Sequence, residues 1–140
     1  MYRGYYSPAE WKKIIEFSAI KETPFLVILL DRVQQKFQEF RRDFPSAKIY
    51  YAVKASPGEE ILSLLRDLGS CFDIASIYEL DRVLNLGVSP DRVSFGNTIK
   101  KAQHIRDAYE KGVRLFASDC EADIRNLANE APCYWPPIWG

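Results

Sequence analysis

The sequence predicts an α/β chain built on a parallel sheet, and three observations carry that prediction. Short apolar or β-branched runs alternate with amphipathic helical stretches from about residue 25 onward. The connections between them are short, as right-handed strand–helix–strand crossovers require. Glycines or capping residues punctuate the ends of the helical stretches. Composition agrees: 140 residues suit one ordinary domain, with 47% hydrophobic and 27% charged residues. Nineteen basic and nineteen acidic side chains cancel, so no nucleic-acid or membrane-surface footprint is expected, and no apolar run is long enough to span a bilayer. Cys71, Cys120 and Cys133 form an odd, unpatterned set that suits reduced thiols better than disulfides or a metal site. The N-terminus lacks the apolar core of a signal peptide, so the expected location is cytoplasmic and no metal is expected.

Taken in order, Ser7-Pro8-Ala9-Glu10 predicts a helix start, with Ser7 as cap and Glu10 completing a capping box. Trp11, Ile14, Ile15 and Phe17 follow at roughly helical spacing. Phe25 to Leu30 is wholly apolar and predicts a strand. Asp31 is the expected cap of a helix with Val33, Phe37, Phe40 and Phe44 on one side and a solvated charged face on the other. Lys48 to Ala55 predicts the next strand. Glu59 to Leu68 carries a leucine-rich stripe and ends at Gly69. Phe72 to Ala75 is a short strand, and Ser76-x-x-Glu79 has capping-box spacing for a helix to Leu86, closed by Gly87. Arg92 to Phe95, Lys101 to Lys111 and Gly112 to Ala117 continue as strand, helix, strand. Ser118 or Asp119 then caps a helix to about Glu130.

Lys48-Ile49-Tyr50-Tyr51-Ala52-Val53-Lys54-Ala55 is the stretch with chemistry in it. Period 2 places Tyr50, Ala52 and Lys54 on one face, and Ile49, Tyr51 and Val53 on the other. Ser56-Pro57-Gly58 stops the strand, so Lys54 falls at the carboxyl end of a parallel strand, where α/β proteins build their sites. A partly desolvated lysine there can lose its proton and form a Schiff base with an aldehyde. A lysine that merely snorkels to solvent would have the same spacing.

Neighbouring stretches add a resemblance. Tyr50-Tyr51-Ala52-Val53-Lys54-Ala55 resembles the cofactor-lysine motif of the pyridoxal-phosphate-dependent decarboxylases of ornithine, lysine, arginine and diaminopimelate, which share the alanine-racemase fold. Phe72-Asp73-Ile74-Ala75-Ser76 is similar to that family's second-strand motif. Ser76-Ile77-Tyr78-Glu79-Leu80 and Gly96-Asn97-Thr98-Ile99-Lys100-Lys101 resemble the bacterial ornithine/lysine branch. The resemblance runs from about Pro24 to Pro132.

The resemblance implies a partial (β/α)8 TIM-type barrel: about four βα units, half of a barrel that needs ~250 residues. The expected organisation is a helix and strand in 1–30, the strand belonging to a β-domain not in this chain. Residues 31–132 would be the amino-terminal half of the pyridoxal-binding barrel, and 133–140 an aberrant tail, so the chain reads as an amino-terminal fragment. Resemblance assigns Lys54 as the catalytic and cofactor-bearing lysine and pyridoxal 5'-phosphate as cofactor. It places Ala52, Asp73 and Glu79 around that cofactor. A capping role for Glu79 and a turn-forming role for Asn97 stand beside the functional ones. His104, the lone histidine, is expected on the surface.

The implied activity is decarboxylation of a basic amino acid, ornithine or lysine, in polyamine biosynthesis, by a homodimer in the intact protein. Diaminopimelate or arginine decarboxylase and a non-catalytic, decarboxylase-like regulatory protein are the alternatives. Ser76-Ile77-Tyr78-Glu79 lacks the paired glycines usual in the diaminopimelate branch. The family's ring-stacking histidine, glycine-rich phosphate site, acidic partner of the pyridine nitrogen and cysteine/aspartate pair match nothing in these 140 residues. The fragment is therefore expected to be inactive alone.

Overall fold

The computed structural model describes residues 5–132, in which four parallel strands and six α-helices alternate after a helical start. The expected tail at 133–140, with Cys133, lies outside the described residues. Helix α1 (Pro8–Ile20) opens with the predicted box: Glu10 N donates to Ser7 Oγ at 3.3 Å and Ser7 N to Glu10 Oε2 at 2.7 Å. The same carboxylate receives Arg32 of helix α2 (Leu30–Asp43), from Nε at 2.6 Å and Nη2 at 2.9 Å. The Arg32 fork, aided by the Ser7 hydrogen bonds, lowers the Glu10 pKa to about 2.

Two expectations in this region are corrected. Phe25–Leu30 does not form a strand. Residues 25–29 pair with no strand among the described residues, and Leu30 already belongs to α2. An apolar run becomes a strand only against a ladder partner; here Phe25 packs edge-on to Phe17 of α1, ring centroids 5.7 Å apart, and Leu26 stays exposed. Nor does Asp31 cap α2. Leu29 holds the cap position without a side-chain hydrogen bond, and Asp31 sits in the first turn, where its charge still suits the helix dipole.

Strands β1 (Tyr50–Ala52), β2 (Cys71–Ile74), β3 (Val93–Phe95) and β4 (Leu115–Phe116) form one parallel sheet in the order 1-2-3-4. The order never reverses, so every crossover steps the same way, as in a barrel and unlike a doubly wound sheet. Helices α3 (Glu59–Asp67), α4 (Ile77–Asn85), α5 (Ala102–Glu110) and α6 (Glu121–Glu130) follow the strands in turn. Phe72, Ile74, Val93 and Phe95 are fully buried on one face, with Leu62, Leu65, Leu80 and Val83 from the helices in the same core. Val53 joins that core, and Ile49 and Tyr51 pack against it, as period 2 predicts.

Helix ends follow their sequence signals. Gly69 and Gly87 adopt φ of +86° and +83°, the left-handed cap that a side chain would strain. Helix α6 differs: Cys120, not Ser118 or Asp119, stands at its cap and supplies no side-chain bond. Strand β4 is two residues rather than the predicted six, because only Ser94 and Phe95 offer it register partners. Among the described residues both edge strands lack an outer neighbour. Beside β1 lies an apolar groove formed by Val33, Phe37, Phe40, Ile49 and Leu65, and beside β4 one formed by Phe116, Ile124, Leu127 and Ala131. Among the described residues no helix is long and apolar enough to cross a membrane.

Candidate active site

The sheet's second face carries a single register row. Ala52 stands opposite Asp73, Asp73 opposite Ser94, and Ser94 opposite Leu115. Ala52, Asp73 and Ser94 are half-buried, while the opposite face of these strands is sealed by helices. Two predicted site residues, Ala52 and Asp73, are therefore neighbours at the carboxyl end of the strands. Asp73 Oδ1 accepts a hydrogen bond from Ser94 Oγ at 2.5 Å. A Cβ at Gly96 would lie 2.1 Å from that same oxygen and 2.6 Å from the carboxylate carbon. Gly96 has no positive φ, so its lack of a side chain makes space rather than relieving the backbone. Ser94 and Gly96 thus fix where the Asp73 carboxylate sits. Counting residues in each strand, without cross-strand register, could not pair Ser94 with Asp73.

Lys54 does not end the strand, as predicted, but lies in a 3₁₀ turn, Val53–Ala55, that follows β1. The strand stops at Ala52, and the Tyr51 hydroxyl donates to Ser56 O at 3.2 Å, closing the turn. Lys54 is left exposed, with no hydrogen bond or ion pair to any described residue. Among the described residues neither Asp73 nor Glu79 bonds Lys54. Asp73 turns to Ser94, and Glu79 Oε2 accepts from Ala75 N at 2.7 Å. Glu79 N in turn donates to Ser76 Oγ at 3.3 Å. The capping box is half formed, because Glu79 reaches one residue past the cap and ties down the β2–α4 turn instead.

Asn97 combines its two readings. Its Oδ1 accepts from Ile99 N at 3.2 Å, a turn within its own loop, and its Nδ2 donates to Ala75 O at 3.3 Å across to the next one. Three residues on, the Lys100 side chain is fully buried and pairs with Asp123 of α6, Nζ to Oδ2 2.7 Å. The Gly96–Lys101 motif contained this lysine, but only the fold shows that it points inward. His104 is half-buried in the first turn of α5. Cys71 is a buried free thiol and Cys120 an exposed one. Among the described residues no three histidine, cysteine or acidic side chains are grouped to hold a metal. Burial raises the pKa of Tyr50 and Tyr51 of β1.

Comparison with known proteins gives this geometry a context. Residues 30–137 match the family model described as pyridoxal-dependent decarboxylase, pyridoxal binding domain. A lysine/ornithine decarboxylase of Selenomonas ruminantium is 42% identical over 110 residues, covering 79% of this chain and 28% of the relative. An ornithine decarboxylase of Saccharomyces cerevisiae is 42% identical over 112 residues, covering 80% and 24%. The crystal structure of the Selenomonas ruminantium lysine decarboxylase superposes with a TM-score of 0.79 at 38% identity, over 91% of this chain and 34% of that one. A crystal structure of SrLDC in complex with PLP and cadaverine superposes with a TM-score of 0.78 at 38% identity, covering 91% and 32%. The chain thus spans about a quarter of the length of these curated relatives. The residues present fit the group that the family model implies. A primary amine with no partner among the described residues stands just past a strand tip, and at that tip the small Ala52 leaves room for a flat ring.

Proposed function

Because the chain belongs to the pyridoxal-dependent decarboxylase family, through its pyridoxal-binding domain, we propose that Lys54 anchors pyridoxal phosphate for the decarboxylation of a basic amino acid. The observation that carries this reading is the exposed Lys54, in the turn directly after Ala52 and with no hydrogen bond or ion pair to any described residue, beside the Ala52–Asp73–Ser94 register row. When bound, the cofactor supplies an electron-accepting ring for the bond that releases carbon dioxide. Lys54 would hold that group through its Nζ, the amine that an aldehyde takes up with loss of water and that a substrate amine can replace. The exposure of Lys54 leaves it free to swing aside once replaced. Ala52 leaves the sheet face low enough for a flat ring to lie against it. Asp73, held by Ser94 and seated over Gly96, presents a fixed negative charge in the same row. Glu79 acts one step back, by keeping the β2–α4 turn closed.

Ornithine or lysine is the proposed substrate, and polyamine synthesis the setting; the names of the relatives and the cadaverine in the neighbouring structure support this. In the same reading residues 1–30 precede a barrel half formed by 31–132, the intact protein is a cytoplasmic homodimer, and this stretch alone holds cofactor without turnover. The test is to mix the chain with pyridoxal phosphate, reduce with borohydride and map the label by mass spectrometry. One pyridoxyl group on Lys54, absent in Lys54→Ala, is expected. A non-catalytic, decarboxylase-like regulator would leave Lys54 unlabelled.

A further inference from the structure

Lys100 is the buried charge that the reading above does not use. Its side chain is 0% exposed and that of its partner Asp123 6%. An ammonium has three protons to donate, and three short acceptors surround it: Asn97 O at 3.0 Å, Ala117 O at 2.7 Å and Asp123 Oδ2 at 2.7 Å, with Thr98 O at 3.5 Å. Those acceptors come from two different loops and a helix. Asn97 belongs to the β3–α5 loop, Ala117 follows β4, and Asp123 lies in the first turn of α6. Asn97 extends the set to a third loop through Ala75 O, and Glu79 closes that loop through Ala75 N. One continuous chain of polar contacts therefore joins the three loops that follow β2, β3 and β4. A buried ion pair is a poor device for net stability, since two charges must leave water, but it tolerates few alternative geometries.

What this chain holds in place is the site row. Asn97 directly follows Gly96, whose bare Cα is what admits the Asp73 carboxylate. Gly96 N also donates to Ile74 O at 3.0 Å, next to Asp73 on β2. A shift of Asn97 moves Gly96 with it, and a shift of a few tenths of an ångström is enough to displace a carboxylate this closely packed. We propose that Lys100 is a positioning residue for the cofactor site: paired with Asp123, it sets the β3–α5 loop and through Gly96 the placement of Asp73. The clause about the cofactor rests on the Lys54 reading; the clause about the loop does not.

The experiment compares the chain with three variants: Lys100→Met, the charge-free pair Lys100→Met/Asp123→Leu, and Arg92→Met as a control that breaks a polar network at the far end of the sheet. Amide hydrogen exchange reads the loop without cofactor, and borohydride-trapped pyridoxal phosphate reads the site. In both Lys100 variants the Gly96 and Ile99 amides should lose protection by about tenfold or more, and labelling of Lys54 should fall by about tenfold. Arg92→Met should leave both readouts as in the parent even where it lowers the melting temperature. If Lys100→Met does not fold, the charge-free pair, which strands no buried carboxylate, decides. Unchanged exchange at Gly96 and Ile99 in the variants overturns the proposal, and so does an equal loss in Arg92→Met. Should the parent chain take no label on Lys54 while the exchange pattern is as expected, the loop clause stands and the cofactor reading fails.

Discussion

The two ends of the sheet are built from different chemistry. Where strands begin, arginines bond main-chain carbonyls at the ends of helices. Arg92 donates to Ser70 O from Nε at 3.0 Å and to Arg66 O from Nη2 at 3.0 Å, and Arg66 Nη1 reaches Leu86 O at 2.6 Å. Arg114 takes Tyr109 O at 2.7 Å while its guanidinium lies 4.0 Å above the Tyr109 ring. These cations add donors to carbonyls at and just past the helix C-termini and complement the helix dipoles. Where strands end, carboxylates and a buried lysine side chain hold the loops, Asp73 is wedged against a glycine, and Lys54 has no hydrogen bond or ion pair to any described residue. One end is closed on itself, and the other keeps an unspent amine. On the proposed reading, that difference separates residues that maintain the fold from residues placed to act.

The comparison can be broken from either end. Lys54→Ala should abolish selective capture of pyridoxal phosphate yet change unfolding free energy by no more than about 0.5 kcal/mol, as for any exposed, unpartnered side chain; urea titration with borohydride trapping measures both. Gly96→Ala forces a methyl into the Asp73 carboxylate and should cost about 1–3 kcal/mol through overpacking, with capture at Lys54 reduced as well. Arg92→Met removes the side-chain donors of the Ser70 and Arg66 carbonyls, of which Arg66 O keeps the Gly69 amide, and should cost about 1.5 kcal/mol by the same titration, with capture unaffected. Ser7→Ala removes one bond of the α1 box and should cost about 1 kcal/mol. The smallest effect is acid dependence of the α1–α2 tie. Glu10 titrates lower in the folded chain than when unfolded, so its contribution is complete above pH 4.5 and lost as pH falls toward about 2. Amide exchange in α1 should rise over that window, and Glu10→Gln should remove the dependence.

Much of the fold was legible. Strand–helix alternation, the Ser7 box and the glycine caps at Gly69 and Gly87 are local signals, and each acts as its neighbours in sequence dictate. Phe25–Leu30 misled because apolar, β-prone composition reports only a willingness to pair, and no described strand lies beside it. Asp31 misled because a first-turn carboxylate and a cap differ by one residue in sequence. Of the site, Lys54 and its strand were visible in one motif, and Ala52 and Asp73 in two. The partnership of Asp73 with Ser94 and Gly96, and the burial of Lys100 against Asp123, join residues 21 and 23 positions apart. Such contacts depend on register and helix rotation, which no single stretch encodes.

The measurement that bears most directly on the separation between the two ends is peptide mapping of the borohydride-reduced chain at limiting pyridoxal phosphate. The account predicts label concentrated on Lys54, ahead of lysines as exposed as Lys12 and Lys36. Label spread over the exposed lysines in proportion to their accessibility would contradict it, because Lys54 would then be one more solvated lysine at the end of a strand.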